Sequence, residues 1–179
     1  VSHRINQGIG GSVQTGYIYA LTNNYDIAIQ MDGDGQHDPK FIKDLIRPII
    51  NDEADIVIGS RFINGEGFQS SRMRRMGIRF LSSLILFCCG AKVKDVTSGF
   101  RAVNKRFIEL YANNYAQDYP EPEAIVSAKL MGARIKEVPV IMKERNSGKS
   151  SINKWKSIYY MIKVSMAILL YRATFEMGD

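Results

Sequence analysis

Two short apolar runs, at 26–31 and 55–59, bracket a polar turn and an amphipathic stretch, and this order constrains the fold more than any other feature of the chain. Continuous apolar runs of this length read as buried strands. Between them, Phe41, Leu45, Ile46 and Ile49 recur at helical spacing over 39–51. Asp38 stands where a helix is capped and Pro39 where one starts. Strand, helix and strand joined by short connections imply an α/β architecture, with a parallel sheet flanked by helices.

The turn that closes the first run reads Asp32-Gly33-Asp34-Gly35-Gln36-His37-Asp38-Pro39. Asp and Gly dominate turns for conformational reasons alone, so a plain turn is one reading. The other is a cation site at the carboxyl end of a strand, where open α/β sheets bind ligands. A divalent cation held with a phosphate-bearing ligand takes one or two carboxylates from the protein and its other oxygens from phosphate and water. Asp32 and Asp34 suit that role, and glycines beside them let a bulky ligand approach. An EF-hand loop is excluded: counted from Asp32, the sixth residue is His37 rather than glycine and the twelfth is Lys43 rather than glutamate.

A chain of 179 residues is long enough for one well-buried core. Its net charge of +6 suggests an anionic partner: nucleotide phosphates, nucleic acid or an anionic membrane. The two cysteines, Cys88 and Cys89, are adjacent and cannot build a disulfide framework or a zinc site, which fits a cytoplasmic protein. The longest apolar runs, at 80–91 and 158–171, fall short of the roughly 20 residues that span a bilayer, so a soluble or peripheral protein is expected.

Earlier in the chain, Asn6–Ser12 is rich in glycine and leads into an expected helix over 12–21. It is either a phosphate-cradling turn or a plain strand-to-helix turn. Farther on, 72–90 reads as a helix with Arg72, Arg75 and Arg79 on one face and Met73, Met76, Phe80, Leu84 and Phe87 as its apolar stripe. Cations near a helix N-terminus oppose its dipole, so these arginines either answer an anion or are simply solvated. Asp95–Arg101 reads as a polar turn, Asn104 as the cap of a helix through Tyr115, and 121–130 as a helix stopped by Gly132. A strand follows over 135–142; Pro139 cannot donate to a ladder, which places it at a sheet edge. The basic stretch 143–149 is either a surface loop or a lid over phosphate. Finally 152–172 reads as a helix with Trp155, Ile158, Tyr159, Ile162, Met166 and Leu169 on a broad apolar face beside Lys154, Lys156 and Lys163. It suits either a membrane interface or closure of the core.

In order and spacing, Asn6–Gly16, Asp32–Pro39, Asp55–Phe62, Asp95–Arg101, Glu137-Val138-Pro139-Val140 and Arg145–Ser151 resemble the family 2 glycosyltransferases of GT-A fold, nearest the polyprenyl-phosphate (dolichyl-phosphate-type) branch. The resemblance implies a partial GT-A domain over 1–151 and a C-terminal amphipathic helix over 152–179. It implies that Asp32 and Asp34 hold Mg²⁺ or Mn²⁺ against the diphosphate of a nucleotide sugar, with Gln36 close to the sugar-phosphate. Arg145, Gly148, Lys149 and Ser150 resemble the segment that closes over the diphosphate. The turn ending in Arg101 resembles the acceptor side, where Asp95 is a candidate for acceptor positioning or base catalysis. Many relatives place a base in a Glu-Asp pair; here Glu121 and Glu123 occupy that region, and an acceptor phosphate, already ionised, would need neither.

The family's opening strands, with Pro-x-Tyr-Asn-Glu-like and Asp-Asp-Gly-Ser motifs, have no counterpart in this sequence. An N-terminally shortened chain is therefore expected, one that lacks the nucleotide-base pocket and is inactive alone. The implied reaction is inverting transfer of a sugar from a nucleoside diphosphate to a polyprenyl phosphate or cell-surface glycan. Arg145 with Lys149 would assist departure of the diphosphate, and Arg72, Arg75 and Arg79 would meet an acceptor phosphate or anionic lipid at the cytoplasmic face of a membrane. The competing readings are a metal-dependent nucleotidyltransferase and a basic membrane- or nucleic-acid-binding module without catalysis. No recognition motif supports nucleic acid. A sheet deprived of its first strands would expose an edge, which favours homo-oligomers.

Overall fold

The structure, a computed structural model, describes residues 1–144 and 154–176. Four strands form one sheet: β1 (Ile27–Gln30), β2 (Ile56–Ser60), β3 (Arg101–Asn104) and β4 (Ile135–Pro139), in the spatial order β1-β3-β2-β4. Six α-helices surround it: α1 (Gly8–Thr22), α2 (Ile42–Ile50), α3 (Arg72–Cys89), α4 (Lys105–Asn113), α5 (Pro120–Leu130) and α6 (Lys154–Glu176).

The α/β class is as the patterning implies, but the sheet is mixed rather than mostly parallel. Only β2 and β4 run parallel; β3 lies antiparallel to both β1 and β2, separating the two strands that the sequence suggested were neighbours. Val103 faces Ala28 on one side and Ile56 on the other. β4 takes the edge, as Pro139 requires.

Strand residues alternate between two cores. Ile56, Ile58 and Val103 point into the larger one, built with α1 and α3 to α6. Val57 and Ala102 point to the other side, where Leu45 of α2 is fully buried together with Phe100. The result is a sheet with helices on both faces. Asp38 caps the 3₁₀ turn Pro39–Phe41 that opens α2, and Asn104 caps α4 by accepting from the Phe107 N–H at 3.2 Å.

Three expectations change. Residues 8–11 are the first turn of α1, not a loop, and a Cβ on Gly10 would come within 2.4 Å of the Ala116 carbonyl oxygen, so this glycine permits close packing. The buried stripe of α3 is Ile78, Leu81, Ile85 and Cys88. The stripe picked out in the sequence faces outward instead, with Met73, Met76, Phe80 and Phe87 all exposed and Leu84 partly buried. In α6, Val164 and Ile168 enter the core while Tyr159, Ile162, Met166 and Leu169 are exposed, so one face closes the domain and the other is apolar surface. The side chains of Trp155 and Ile158 lie outside the described residues. No described helix is long and apolar enough to cross a membrane.

Candidate functional site

The polar turn leaves the carboxyl end of β1 and is fixed by contacts from distant parts of the chain. The imidazole of His37, only 6% exposed, stacks on Phe100 with ring centroids 4.8 Å apart. Its Nδ1 accepts a 3.0 Å hydrogen bond from the Asp32 N–H. Burial pushes the imidazole below its ordinary pKa, against the opposing pull of the Asp32 and Asp34 carboxylates. A neutral ring accepting at Nδ1 carries its proton on Nε2, which lies 3.9 Å from Asp32 Oδ2.

Asp34 Oδ1 accepts from the Gln36 N–H at 3.0 Å, which tightens the turn. Gln36 Nε2 donates to the Lys143 carbonyl at 3.1 Å, and the Lys143 N–H returns a 3.0 Å bond to the Gln36 carbonyl. The basic segment that follows therefore starts beside the carboxylates. Arg145, Lys149 and Ser150 themselves lie outside the described residues.

The second half of the site is the turn into β3. Asp95 is fully buried: Arg61 donates to its Oδ2 from Nε at 2.7 Å and to its Oδ1 from Nη2 at 2.6 Å, and the Arg61 N–H adds a third bond. Glu137, from the Glu-Val-Pro strand, accepts from the Lys94 and Asp95 N–H groups at 2.8 and 2.9 Å. Asp95 is thus one half of a buried Asp–Arg pair whose bonds are all made within the protein. Arg101 is likewise buried, with its guanidinium donating to the carbonyls of Ser98 (2.7 Å), Glu121 (2.8 Å) and Val96 (3.2 Å). It organises the turn into β3.

Those bonds deliver Gly99 to Asp32. A Cβ at Gly99 would fall 2.8 Å from both carboxylate oxygens of Asp32, so a side chain there would displace the carboxylate from its present position. The Asp32 side chain nevertheless remains 47% exposed. Asp32 and Asp34 offer hard oxygen donors, the chemistry that Mg²⁺ or Mn²⁺ takes. Among the described residues there is no cluster of three or more metal-ligating side chains.

The two glutamates part company. Glu121, whose backbone carbonyl accepts from Arg101, acts electrostatically on Tyr115, as Asp32 does. Glu123 lines a small cavity of about 100 Å³ with Tyr111, Ser127 and Tyr171, and burial raises its carboxyl pKa. Arg72, Arg75 and Arg79 ride on α3 beside its exposed apolar stripe; Arg75 is half-buried and the other two are exposed. His37, Gly99, Arg61 and Glu137 were absent from the residues that sequence reasoning put forward for the site. His37 sat inside the quoted turn, but only Phe100, far along the chain, shows what its ring does.

Residues 1–111 match the family described as glycosyl transferase family 2. The chain is similar to the UDP-N-acetylglucosamine–dolichyl-phosphate N-acetylglucosaminyltransferase of Methanococcus voltae, at 35% identity over 143 residues, covering 78% of this chain and 57% of that protein. It is also similar to the undecaprenyl-phosphate mannosyltransferase of Micrococcus luteus, at 31% identity, covering 86% of this chain and 64% of the relative. The polyprenol monophosphomannose synthase of Mycolicibacterium smegmatis is 27% identical, over 92% of this chain and 64% of the relative. The chain thus spans 57 to 64% of the length of these proteins.

Proposed function

Since the chain belongs to glycosyl transferase family 2, we propose that it supplies the cation and diphosphate centre of an inverting transferase, moving a sugar from a nucleoside diphosphate to a polyprenyl phosphate. The observation that carries this reading is the half-exposed Asp32 carboxylate at the carboxyl end of β1, two residues from Asp34, in a turn that every neighbouring element holds still. The names of the relatives support the choice of a polyprenyl-phosphate acceptor over a cell-surface glycan.

Asp32 and Asp34 would hold Mg²⁺ or Mn²⁺, which when bound supplies Lewis-acid stabilisation of the charge gathering on the diphosphate. Gln36 anchors the root of the basic segment, from which Arg145 and Lys149 would reach the same charge. An ionised acceptor phosphate attacks without losing a proton, so it needs no base. For a glycan hydroxyl, either Glu121 or Glu123 would serve as the base. The outward apolar stripes of α3 and α6, with Arg72, Arg75 and Arg79 beside the first, would seat the protein on the cytoplasmic face of an anionic membrane.

Calorimetric titration of UDP- and GDP-sugars in the presence of Mn²⁺, on a version that carries the family's opening strands, tests the reading. Binding that requires the metal and disappears in Asp34→Ala supports it; metal-independent binding overturns it. Flotation with phosphatidylglycerol vesicles tests the membrane contact, which Arg72→Glu with Arg79→Glu should abolish.

A further inference from the structure

The Asp32 carboxylate projects from a backbone that could settle in several ways. A turn containing Gly33 and Gly35 has little stiffness of its own. What selects one arrangement is the imidazole five residues downstream. His37 Nδ1 accepts from the N–H of Asp32 itself, and the ring is clamped from behind by its stack on Phe100. Phe100 is fully buried in the α2-side core, so the clamp is anchored in packed side chains. From the other side a Cβ on Gly99 would come within 2.8 Å of the carboxylate oxygens where they now stand.

We propose that His37 is a positioning residue for the cation site: it fixes the main chain of Asp32, and with it the point from which the carboxylate projects beside Gly99. The proposal rests on the reading of Asp32 as a metal ligand. The imidazole does not itself touch the cation. Its Nε2, at 3.9 Å from Asp32 Oδ2, is beyond hydrogen-bond length and adds only an oriented dipole. The alternative is an ordinary buried histidine whose loss lowers stability and nothing else.

The two are separated by titrating Mn²⁺ alone into the full chain and following free Mn²⁺ by electron paramagnetic resonance, below the unfolding midpoint of every variant. H37F keeps a stacking ring but removes the acceptor, and weakens Mn²⁺ binding by about tenfold or more, the usual effect of losing a partner behind a metal ligand. H37N places an amide oxygen near the former Nδ1 and restores most of the affinity; H37Q, whose oxygen reaches too far, does not. If His37 acts through Asp32, H37F costs no further affinity in a D32A background, where residual binding rests on Asp34. Mn²⁺ affinity in folded H37F equal to wild type overturns the proposal while leaving the function reading intact. Additive losses in the double variant overturn it as well. A wild-type protein that binds no Mn²⁺ overturns both.

Discussion

Two polar turns lie at the same end of the paired strands β1 and β3, and they put the same residue types to opposite uses. In the turn leaving β1, Asp32 keeps nearly half its side-chain surface in solvent although its backbone is tied down. In the turn entering β3, Asp95 has no exposed surface and both of its oxygens are held by Arg61. An acidic residue in a polar turn is therefore uninformative by itself. What distinguishes a ligand-binding carboxylate from a structural one is whether the fold has already supplied its partners.

The comparison breaks most sharply at Asp95. Asp95→Ala leaves the Arg61 guanidinium buried without its counter-ion, which should cost about 3–5 kcal/mol by denaturant unfolding. A loss below about 1 kcal/mol would mean that the second turn is not the structural one. Gly99→Ala comes next because it makes one turn collide with the other. The added Cβ meets the movable end of the Asp32 side chain, so folding should lose only about 1 kcal/mol or less. It should also lower Mn²⁺ affinity about tenfold by displacing Asp32.

Asp34→Ala reverses the pattern. It removes one side-chain hydrogen bond to the Gln36 N–H, worth about 0.5–1.5 kcal/mol. Metal-dependent nucleotide binding should nevertheless vanish in calorimetry.

The smallest effect is read by pH, at a third carboxylate. Asp55 joins three strands: it accepts from Asn104 Nδ2 at 2.9 Å and from the Arg134 N–H at 2.8 Å. Burial tends to raise its pKa, but the bonds from Arg134 and Asn104 outweigh that and hold it below the ordinary value. A lowered folded pKa stabilises the protein fully above the unfolded pKa of about 3.9, and that contribution fades as the pH falls through the folded value. Unfolding measured from about pH 4 downward should show this loss, and Asp55→Asn should flatten the slope.

How far the sequence reveals this arrangement depends on the range of the interactions involved. The first strand, the second strand and α2 were legible because periodicity is a local property. β3 was not. Arg101-Ala102-Val103-Asn104 is four residues between a turn and a helix cap, and it becomes the inner strand only because Arg101 finds three carbonyls that allow its guanidinium to be buried. Helix α3 misled for another reason. Apolar residues surround it, so periodicity offered two stripes, and the one with the larger side chains is the one left outside. At the site, the pair Asp32 and Asp34 stood out by spacing. Neither the stack of His37 on Phe100 nor the approach of Gly99 can be read locally, since each joins segments more than sixty residues apart.

Arg101 also makes the site mechanically continuous. Its three donors rest on the turn at two points and on the first residues of α5 at the third. A shift of the α5 N-terminus by more than the few tenths of an ångström that a hydrogen bond tolerates pulls on Ser98 and Val96 together. Gly99 sits next in that chain of parts, where an added Cβ would meet the Asp32 carboxylate. One guanidinium thus ties the end of α5 that carries Glu121 to the turn that borders the carboxylate at the end of β1.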